Sequence, residues 1–288
     1  MKFCTKFFLI FFLSTKAVFA ADAASKRLTI VASINPIYQI ILEITENKSN
    51  NVLIMNSSSS EHDYQLKKND VEAVQKADLI FYVSADLEKK FPRLIASQNK
   101  QAQSFELVKI NNIKLLQLRS DAAKIDPHIW LDPENALKIA EFVTQKISTI
   151  DKKNSQQYQK NLARFEKKIS ATEESIKVQL SKINDRGYVI YHDGYQYFEK
   201  YFSLTPLQIM TSGHSRELTV SRLKEFDDLV KHARVKCIFG DKQDEKNTAL
   251  KLAQNYQIKF STLDLIGQKD SYFDLLLKIS NTMAGCLN

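Results

Sequence analysis

The sequence predicts an α/β fold in which two parallel-sheet halves are joined by one long helix. Short apolar runs rich in β-branched and aromatic residues alternate with longer segments of helical period, and this alternation indicates strand–helix units. It occurs twice, on either side of a polar, glycine-free segment at 154–183. We therefore expect an N-terminal α/β domain at 21–153, a linking helix at 154–183 and a C-terminal α/β domain at 184–288.

The first twenty residues, MKFCTKFFLIFFLSTKAVFA, are typical of a secretory signal peptide, with Lys2 and Lys6 before a short apolar run and small residues at the predicted cleavage point. The run is far shorter than the roughly 20 residues that span a bilayer, which disfavours a membrane anchor. Cys4 lies too early to be a lipid attachment site. We expect residues 1–20 to be removed and the mature protein to be soluble in a periplasm.

The predicted strands follow from the apolar runs. In the first half they are 28–32, 52–55 and 79–83, with weaker candidates at 105–108 and 113–116. In the second half they are 188–191, 204–209, 235–239 and 258–261. Each run is short, rich in β-branched or aromatic residues and followed by a longer helical pattern.

The linking helix is predicted from an apolar stripe. Its members step by three, four or seven residues, as one helical face does, and they are Tyr158, Leu162, Phe165, Ile169, Ile176 and Leu180. At 1.5 Å per residue the segment would be about 45 Å long, enough to span two domains. The alternative is a solvated coiled-coil arm.

Charge and glycine usage disfavour several classes of function. Removal of the leader takes away three lysines and no acid, so the formal charge falls from +8 to +5. The remaining lysines are interleaved with acids, which is typical of a solvated surface and not of a nucleic-acid groove. All six glycines lie at or after Gly187, and no GxGxxG, GxxxxGK[ST], GxSxG or HExxH motif occurs. Nucleotide binding and the common hydrolase chemistries therefore have no motif here.

Three candidate metal ligands follow predicted strands. His62 comes after the second strand through a serine-rich loop, His192 directly follows the run YVIY, and Asp264 follows IKFST. Open α/β sheets bind ligands beyond the carboxyl ends of their strands. These side chains are therefore expected at the edge of the sheet where ligands bind.

A fourth candidate is His128, in the stretch DPHIWLDPENA. Asp132 and Pro133 predict the N-cap and first residue of a helix, so His128 belongs to the loop before it. Three neutral imidazoles and one carboxylate suit a tetrahedral zinc site. For each residue taken alone, an ordinary surface or structural role remains the alternative.

The remaining histidines and the cysteines have other predicted roles. His214 is expected at the rim of the site, with a second metal contact as the alternative. His232 is expected to face solvent or cap a helix. Cys237 and Cys286 are expected to form a disulfide because the protein is predicted to be exported, and two unpaired thiols are the alternative.

Four segments carry a resemblance to a known family. In chain order, SEHDYQLKKND, PHIWLDPENA, HDGYQYFEKYFSLTPL and STLDLIG resemble segments of the solute-binding proteins of metal-uptake ABC transporters, most closely the zinc-importing members. The resemblance covers essentially the whole mature chain and includes a cysteine pair that matches Cys237 and Cys286.

This resemblance implies two Rossmann-like α/β domains joined by one long rigid helix, with the metal site in the interdomain cleft. It implies Zn²⁺, bound as the transported ligand, at His62, His128, His192 and Asp264. The expected partners are Zn²⁺ and an inner-membrane ABC permease with its cytoplasmic ATPase. The protein is expected to be a monomer that binds no nucleic acid and is not an enzyme. Asp63 would support the loop or the imidazole of His62. Glu61 would be an exposed loop acid, with a weaker additional or transient ligand as the alternative.

Two departures from the family pattern and three alternative functions remain. The stretch 117–126 lacks the long histidine-rich loop of many zinc members, and Leu265 stands where they have proline. A manganese-binding protein is disfavoured because related manganese members place a carboxylate at the position of His192, and carboxylates suit Mn²⁺ better. A zinc hydrolase would need an open coordination position, which four protein ligands close. A surface adhesin is disfavoured by the missing lipid-attachment cysteine.

Overall fold

The computed structural model describes residues 27–55, 64–183, 185–211, 218–232, 234–242 and 247–288. The predicted signal peptide, His62 with its neighbours Glu61 and Asp63, and His214 lie outside the described residues. Within the described ranges, no helix is long and apolar enough to cross a membrane.

The first half contains a parallel sheet with helices packed on it. In the described part of the chain its strand order is β2-β1-β3-β4, with β1 at Thr29–Ala32, β2 at Asn50–Leu53, β3 at Leu79–Tyr82 and β4 at Ser104–Glu106. The helices are α1 at Asn35–Thr45, α2 at Lys68–Lys76 and α3 at Phe91–Ser97. Isoleucines recur on one face of α1 and are fully buried, which fixes this helix against the sheet.

A short antiparallel hairpin and two long helices follow. The hairpin pairs β5 at Gln117–Leu118 with β6 at Asp121–Ile125. A 3-10 turn at Ile129–Leu131 then leads into α4 at Pro133–Ile150 and α5 at Ser155–Leu180. Asp132 caps α4 by accepting a hydrogen bond from the Glu134 N–H at 2.9 Å, which confirms the predicted helix start.

The second half repeats the parallel-sheet arrangement. Its strand order in the described residues is β10-β9-β7-β8, with β7 at Tyr188–Ile190, β8 at Gln208–Ile209, β9 at Cys237–Asp241 and β10 at Lys259–Leu263. Its helices are α6 at Gln196–Tyr201, α7 at Val220–Lys231, α8 at Thr248–Tyr256 and α9 at Tyr272–Leu287. The predicted α/β fold with two domains is thereby confirmed, whereas the exact domain boundaries stay a prediction.

One predicted strand is wrong and one hairpin was not predicted. Residues 113–116 form no strand. The Lys114 N–H and carbonyl bond instead to the side chain of Asn135, and the Leu116 N–H donates to the Tyr197 hydroxyl. These contacts come from distant parts of the chain, so no local pattern reports them. The hairpin β5–β6 is mostly polar and exposed, and its sequence lacks the apolar alternation that predicts strands.

The long helix α5 connects elements of both halves. Its 26 residues extend about 39 Å. It packs against α1 and α4 of the first half and against α9 of the second half. The predicted stripe is buried except at Leu162, which is half-buried, while Asn161 is buried and donates to the Ile44 carbonyl at 2.8 Å. Because its face is covered by three helices, α5 is a packed strut and not a solvated arm.

The predicted disulfide is present. Cys237 at the start of β9 is bonded to Cys286 in α9, with their Cα atoms 6.0 Å apart. The bond ties the last helix to the second sheet, and the alternative of two unpaired thiols is wrong.

Candidate metal centre

The His128 ring is held by a buried carboxylate. Asp126 Oδ1 lies 2.7 Å from His128 Nδ1 and also accepts the His128 backbone N–H at 3.0 Å. Its other oxygen, Oδ2, accepts from the Gln196 amide at 3.0 Å. Burial alone would raise the pKa of Asp126, but the His128 ring and these donors outweigh burial and lower it. An ionised Asp126 requires the proton of the neutral ring on Nδ1, which makes Nε2 the atom with a lone pair for a metal.

His192 brings a second imidazole to the same place. It lies two residues beyond the end of β7 and is 3% exposed. The centroids of the His128 and His192 rings are 5.9 Å apart, with the ring planes at 81°. One ring comes from the loop before α4 and the other from the second sheet. The two halves of the chain therefore each contribute one buried imidazole to one location.

The loop after β10 contacts both histidine loops. The Trp130 indole N–H donates to the Leu265 carbonyl at 2.9 Å, and the Trp130 ring packs on the His128 ring with centroids 5.3 Å apart. A Cβ added at Gly194 would lie 2.7 Å from Leu265 Cδ1 and 3.1 Å from His192 Cδ2. The glycine thus permits close approach of Leu265 to the His192 loop, and this contact places the neighbouring Asp264 at the same edge.

Both carboxylate oxygens of Asp264 contact protein donors. Its Oδ1 accepts the N–H groups of Ile266 and Gly267 at 3.0 and 2.9 Å. Its Oδ2 lies 3.0 Å from the Lys242 ammonium group. Within the ranges that the structure describes, no group of three or more His, Cys, Asp or Glu side chains has the geometry to hold a metal.

The structure supports only part of the predicted metal site. The structure brings His128 and His192 together and places the Asp264 loop beside them, whereas His62 and His214 lie outside the described residues. The four-ligand set stays a prediction. His232 is exposed at the end of α7, and its Nδ1 lies 2.6 Å from the Asp228 carbonyl, so its predicted role as a helix cap is confirmed.

Two buried carboxylates and one arginine form a charge cluster next to His192. Arg119, in the turn of the hairpin β5–β6, forms ion pairs with Asp193 and Glu199, whose side chains are only 2% and 1% exposed. Burial raises the pKa of both carboxyls, and Arg119 opposes that rise. The hairpin is thereby attached to the loop that carries His192.

Sequence reasoning missed Asp126, Arg119 and Lys242. For Asp126 a signal was available, because a carboxylate two residues before a candidate loop histidine can support its ring. For Arg119 and Lys242 there was none, since their partners lie 74 to 80 residues or 22 residues away along the chain.

Two α/β domains linked by a long helix, with one buried imidazole from each half at a shared location, define a metal-binding protein of the bilobed α/β class. The fold is that of the solved "Crystal structure of ZnuA", with a TM-score of 0.81, 19% identity and coverage of 91% of this chain and all of that one. The AdcAII protein of Streptococcus pneumoniae is similar at a TM-score of 0.78 and 26% identity, covering 91% of this chain and all of that one.

Sequence comparison identifies the family. Residues 30–286 match the family described as zinc-uptake complex component A, periplasmic, and the chain belongs to this family. The high-affinity zinc uptake system protein ZnuA of Yersinia pestis is 27% identical over 292 residues, with 90% of this chain and 91% of that protein covered. The metal ABC transporter substrate-binding lipoprotein SloC of Streptococcus mutans is also 27% identical, over 80% of this chain and 79% of that protein.

Proposed function

We propose that this protein is the extracytoplasmic binding component of an ABC importer and that it captures Zn²⁺ for delivery to the membrane permease. Family membership supports this role, and so do the named functions of the ZnuA relatives. Members of this family are components of a transporter and not enzymes. The observation that carries the proposal is the buried pair of His128 and His192, one from each half, with ring centroids 5.9 Å apart.

The donor atoms favour zinc over manganese. Imidazole nitrogens suit Zn²⁺, whereas Mn²⁺ prefers carboxylate and other oxygen ligands. The Asp126 carboxylate on Nδ1 of His128 is the kind of support that orients a metal-binding imidazole and raises its basicity. His128 and His192 come from different halves of the protein. A zinc ion bound by both imidazoles would therefore link the two halves.

The full ligand set that we propose is His62, His128, His192 and Asp264. Support for His62 comes from its flanks. Met55 donates its N–H to the Ser33 carbonyl, and the buried Tyr64 donates its hydroxyl to the Ile54 carbonyl at 2.9 Å. Both ends of the segment 56–63 are thus attached at the carboxyl end of β2, the edge at which parallel sheets bind ligands.

The partners and location belong to the same proposal. The protein acts as a monomer in the periplasm after removal of residues 1–20, and it hands Zn²⁺ to an inner-membrane permease that is driven by a cytoplasmic ATPase. The bound ion is cargo, so affinity must be high enough for capture and still permit release. Two domains at 21–153 and 184–288, linked by 154–183, are the units expected to adjust during these steps.

Metal analysis of the purified protein tests the proposal. After chelator stripping and exposure to equal concentrations of Zn²⁺ and Mn²⁺, we expect about one zinc and little manganese per chain. Competition titrations then give the two dissociation constants. A stripped, folded protein that fails to rebind zinc, or one that retains manganese in preference, would contradict the proposal.

A further inference from the structure

Lys242 and Asp264 are placed opposite each other by the second sheet. Strands β9 and β10 are parallel, with Asp241 in register with Leu263, so the next residue of each strand lies at the same edge. The Lys242 N–H donates to the Leu263 carbonyl at 2.9 Å, which holds the two strand ends together. The Lys242 ammonium group then reaches Asp264 Oδ2 at 3.0 Å.

The two oxygens of Asp264 have different surroundings. Oδ1 accepts two backbone N–H groups, from Ile266 and Gly267, and these bonds fix the orientation of the carboxylate in its loop. Oδ2 is the oxygen that remains for a metal ion, and it is the oxygen that contacts Lys242. A cation of the protein therefore contacts the Asp264 oxygen to which the proposed cargo would bind.

We propose that Lys242 is an internal competitor of the metal: it pairs with Asp264 when the site is empty, must move away when Zn²⁺ binds, and returns when the ion leaves. This inference rests on the proposed function and adds a residue that tunes its affinity. An ammonium group and a metal ion on the same oxygen would lie only a few ångströms apart, and two cations at that distance repel strongly where water is partly excluded.

The exposure of the two side chains makes this exchange feasible. The Asp264 side chain is 18% exposed, whereas the Lys242 side chain is 52% exposed. A lysine on a flexible four-carbon stem can move its ammonium group into water at little cost, and half-exposed ion pairs are weak. Lys242 is thus able to lower zinc affinity modestly without blocking the site.

Zinc competition titrations on Lys242→Gln test the inference. We expect zinc to bind about two- to fivefold more tightly than to the parent, since the free energy of a partly exposed ion pair no longer opposes binding. A chelator chase should show slower zinc release from the variant. Lys242→Arg keeps the cation and should behave as the parent does.

Lys278→Gln is the matched control. Lys278 lies in α9 and forms an ion pair with Asp270, and its side chain is 63% exposed. The variant therefore removes the same charge nearby and leaves the ion pair between Lys242 and Asp264 in place. We expect its zinc affinity to equal that of the parent. Equal tightening in both glutamine variants would mean a general charge effect and would overturn the inference.

Asp264→Asn provides the second test. If Lys242 acts through this carboxylate, the Lys242→Gln substitution should no longer change zinc affinity in the Asp264→Asn background. Persistence of the full effect there contradicts the inference. A parent that binds zinc, with Lys242→Gln unchanged, overturns the inference alone, whereas a folded parent that binds no zinc overturns the proposed function as well.

Discussion

His192 is the side chain on which the proposed choice of metal depends. We expect His192→Ala to weaken zinc binding at least tenfold, about 1.4 kcal/mol, because even residues that only support a ligand commonly cost that much when changed. His192→Glu should keep metal binding and shift the ratio of the zinc and manganese dissociation constants toward manganese, since an oxygen donor replaces nitrogen. Competition titrations measure both effects.

His232→Ala is the control for these variants, because His232 is exposed at the end of α7, where its ring contacts the Asp228 carbonyl. Its zinc affinity should match that of the parent. His192 is buried, so circular dichroism must accompany the titrations. A folded His192→Ala protein with the zinc affinity of the parent would show that the proposed ligand set is wrong.

Glu88 is a buried acid whose titration should make the free energy of unfolding depend on pH. It accepts hydrogen bonds from the Ser33 hydroxyl and from the N–H groups of Val83 and Ser84. Burial nevertheless dominates and raises the pKa of Glu88 from its ordinary 4.5 to about 7. The folded protein therefore binds a proton that the unfolded chain has lost between these values, and stability falls as pH rises through this window.

Glu88→Gln removes this titration. The free energy of unfolding of the metal-free parent, relative to the variant, should fall by up to about 3 kcal/mol between pH 4.5 and 7 and then level off. The amide adds a constant offset because it cannot accept at both former oxygens, so only the pH dependence is diagnostic. Urea denaturation measures it, and parallel curves for the two proteins would count against a raised pKa.

At the scale of elements, the hairpin β5–β6 is attached to the second half through Arg119. Arg119→Met would leave the nearly inaccessible carboxyls of Asp193 and Glu199 without their cation. We expect a loss of about 3–5 kcal/mol in the free energy of unfolding near pH 7.5. The loss should shrink toward pH 5, because burial raises the pKa of both carboxyls and their neutral forms need no cation.

Arg164→Met is the matched control for that prediction. Arg164 in α5 pairs with Glu46, and these side chains are 44% and 39% exposed. Exposed pairs contribute about 1 kcal/mol or less, so urea denaturation should show a small, nearly pH-independent change. A comparable loss of stability in both variants would mean that the Arg119 ion pairs contribute no more than an exposed pair does.

For the whole molecule, zinc should bind the folded form alone and stabilise it by mass action. At a free zinc concentration about 100 times the dissociation constant, the gain would be about 2.7 kcal/mol.

Zinc binding should also depend on pH. Imidazoles with ordinary pKa values near 6.5 must lose their protons to coordinate a metal ion, so zinc affinity should fall as pH drops below about 6. Thermal melts and zinc titrations from pH 7.5 to 5.5 measure these effects, and an unchanged affinity would contradict a histidine-dominated site.

The repeated strand–helix pattern and the stripe on α5 were predictable because they depend on local periodicity, which buried faces impose on the sequence. The same holds for the cap at Asp132. The bounds of β2 and β8 were less predictable, because apolar residues such as Met55 and Leu204 are buried next to a strand without belonging to it. Residues 113–116 form no strand, contrary to the prediction, because the side chains of Asn135 and Tyr197 accept their backbone hydrogen bonds.

By itself, the sequence determined the fold class, the strut, the cysteine pair and the candidate ligands, because each depends on residue type and spacing along the chain. Only the tertiary structure decided that His128 and His192 meet, that Asp126 supports the former, and that Arg119 and Lys242 reach their carboxylates. These pairings join residues from different strands and loops, and their distances depend on how the elements pack. Sequence periodicity indicates which face of an element is buried, but it does not indicate which charged side chain of another element lies opposite that face.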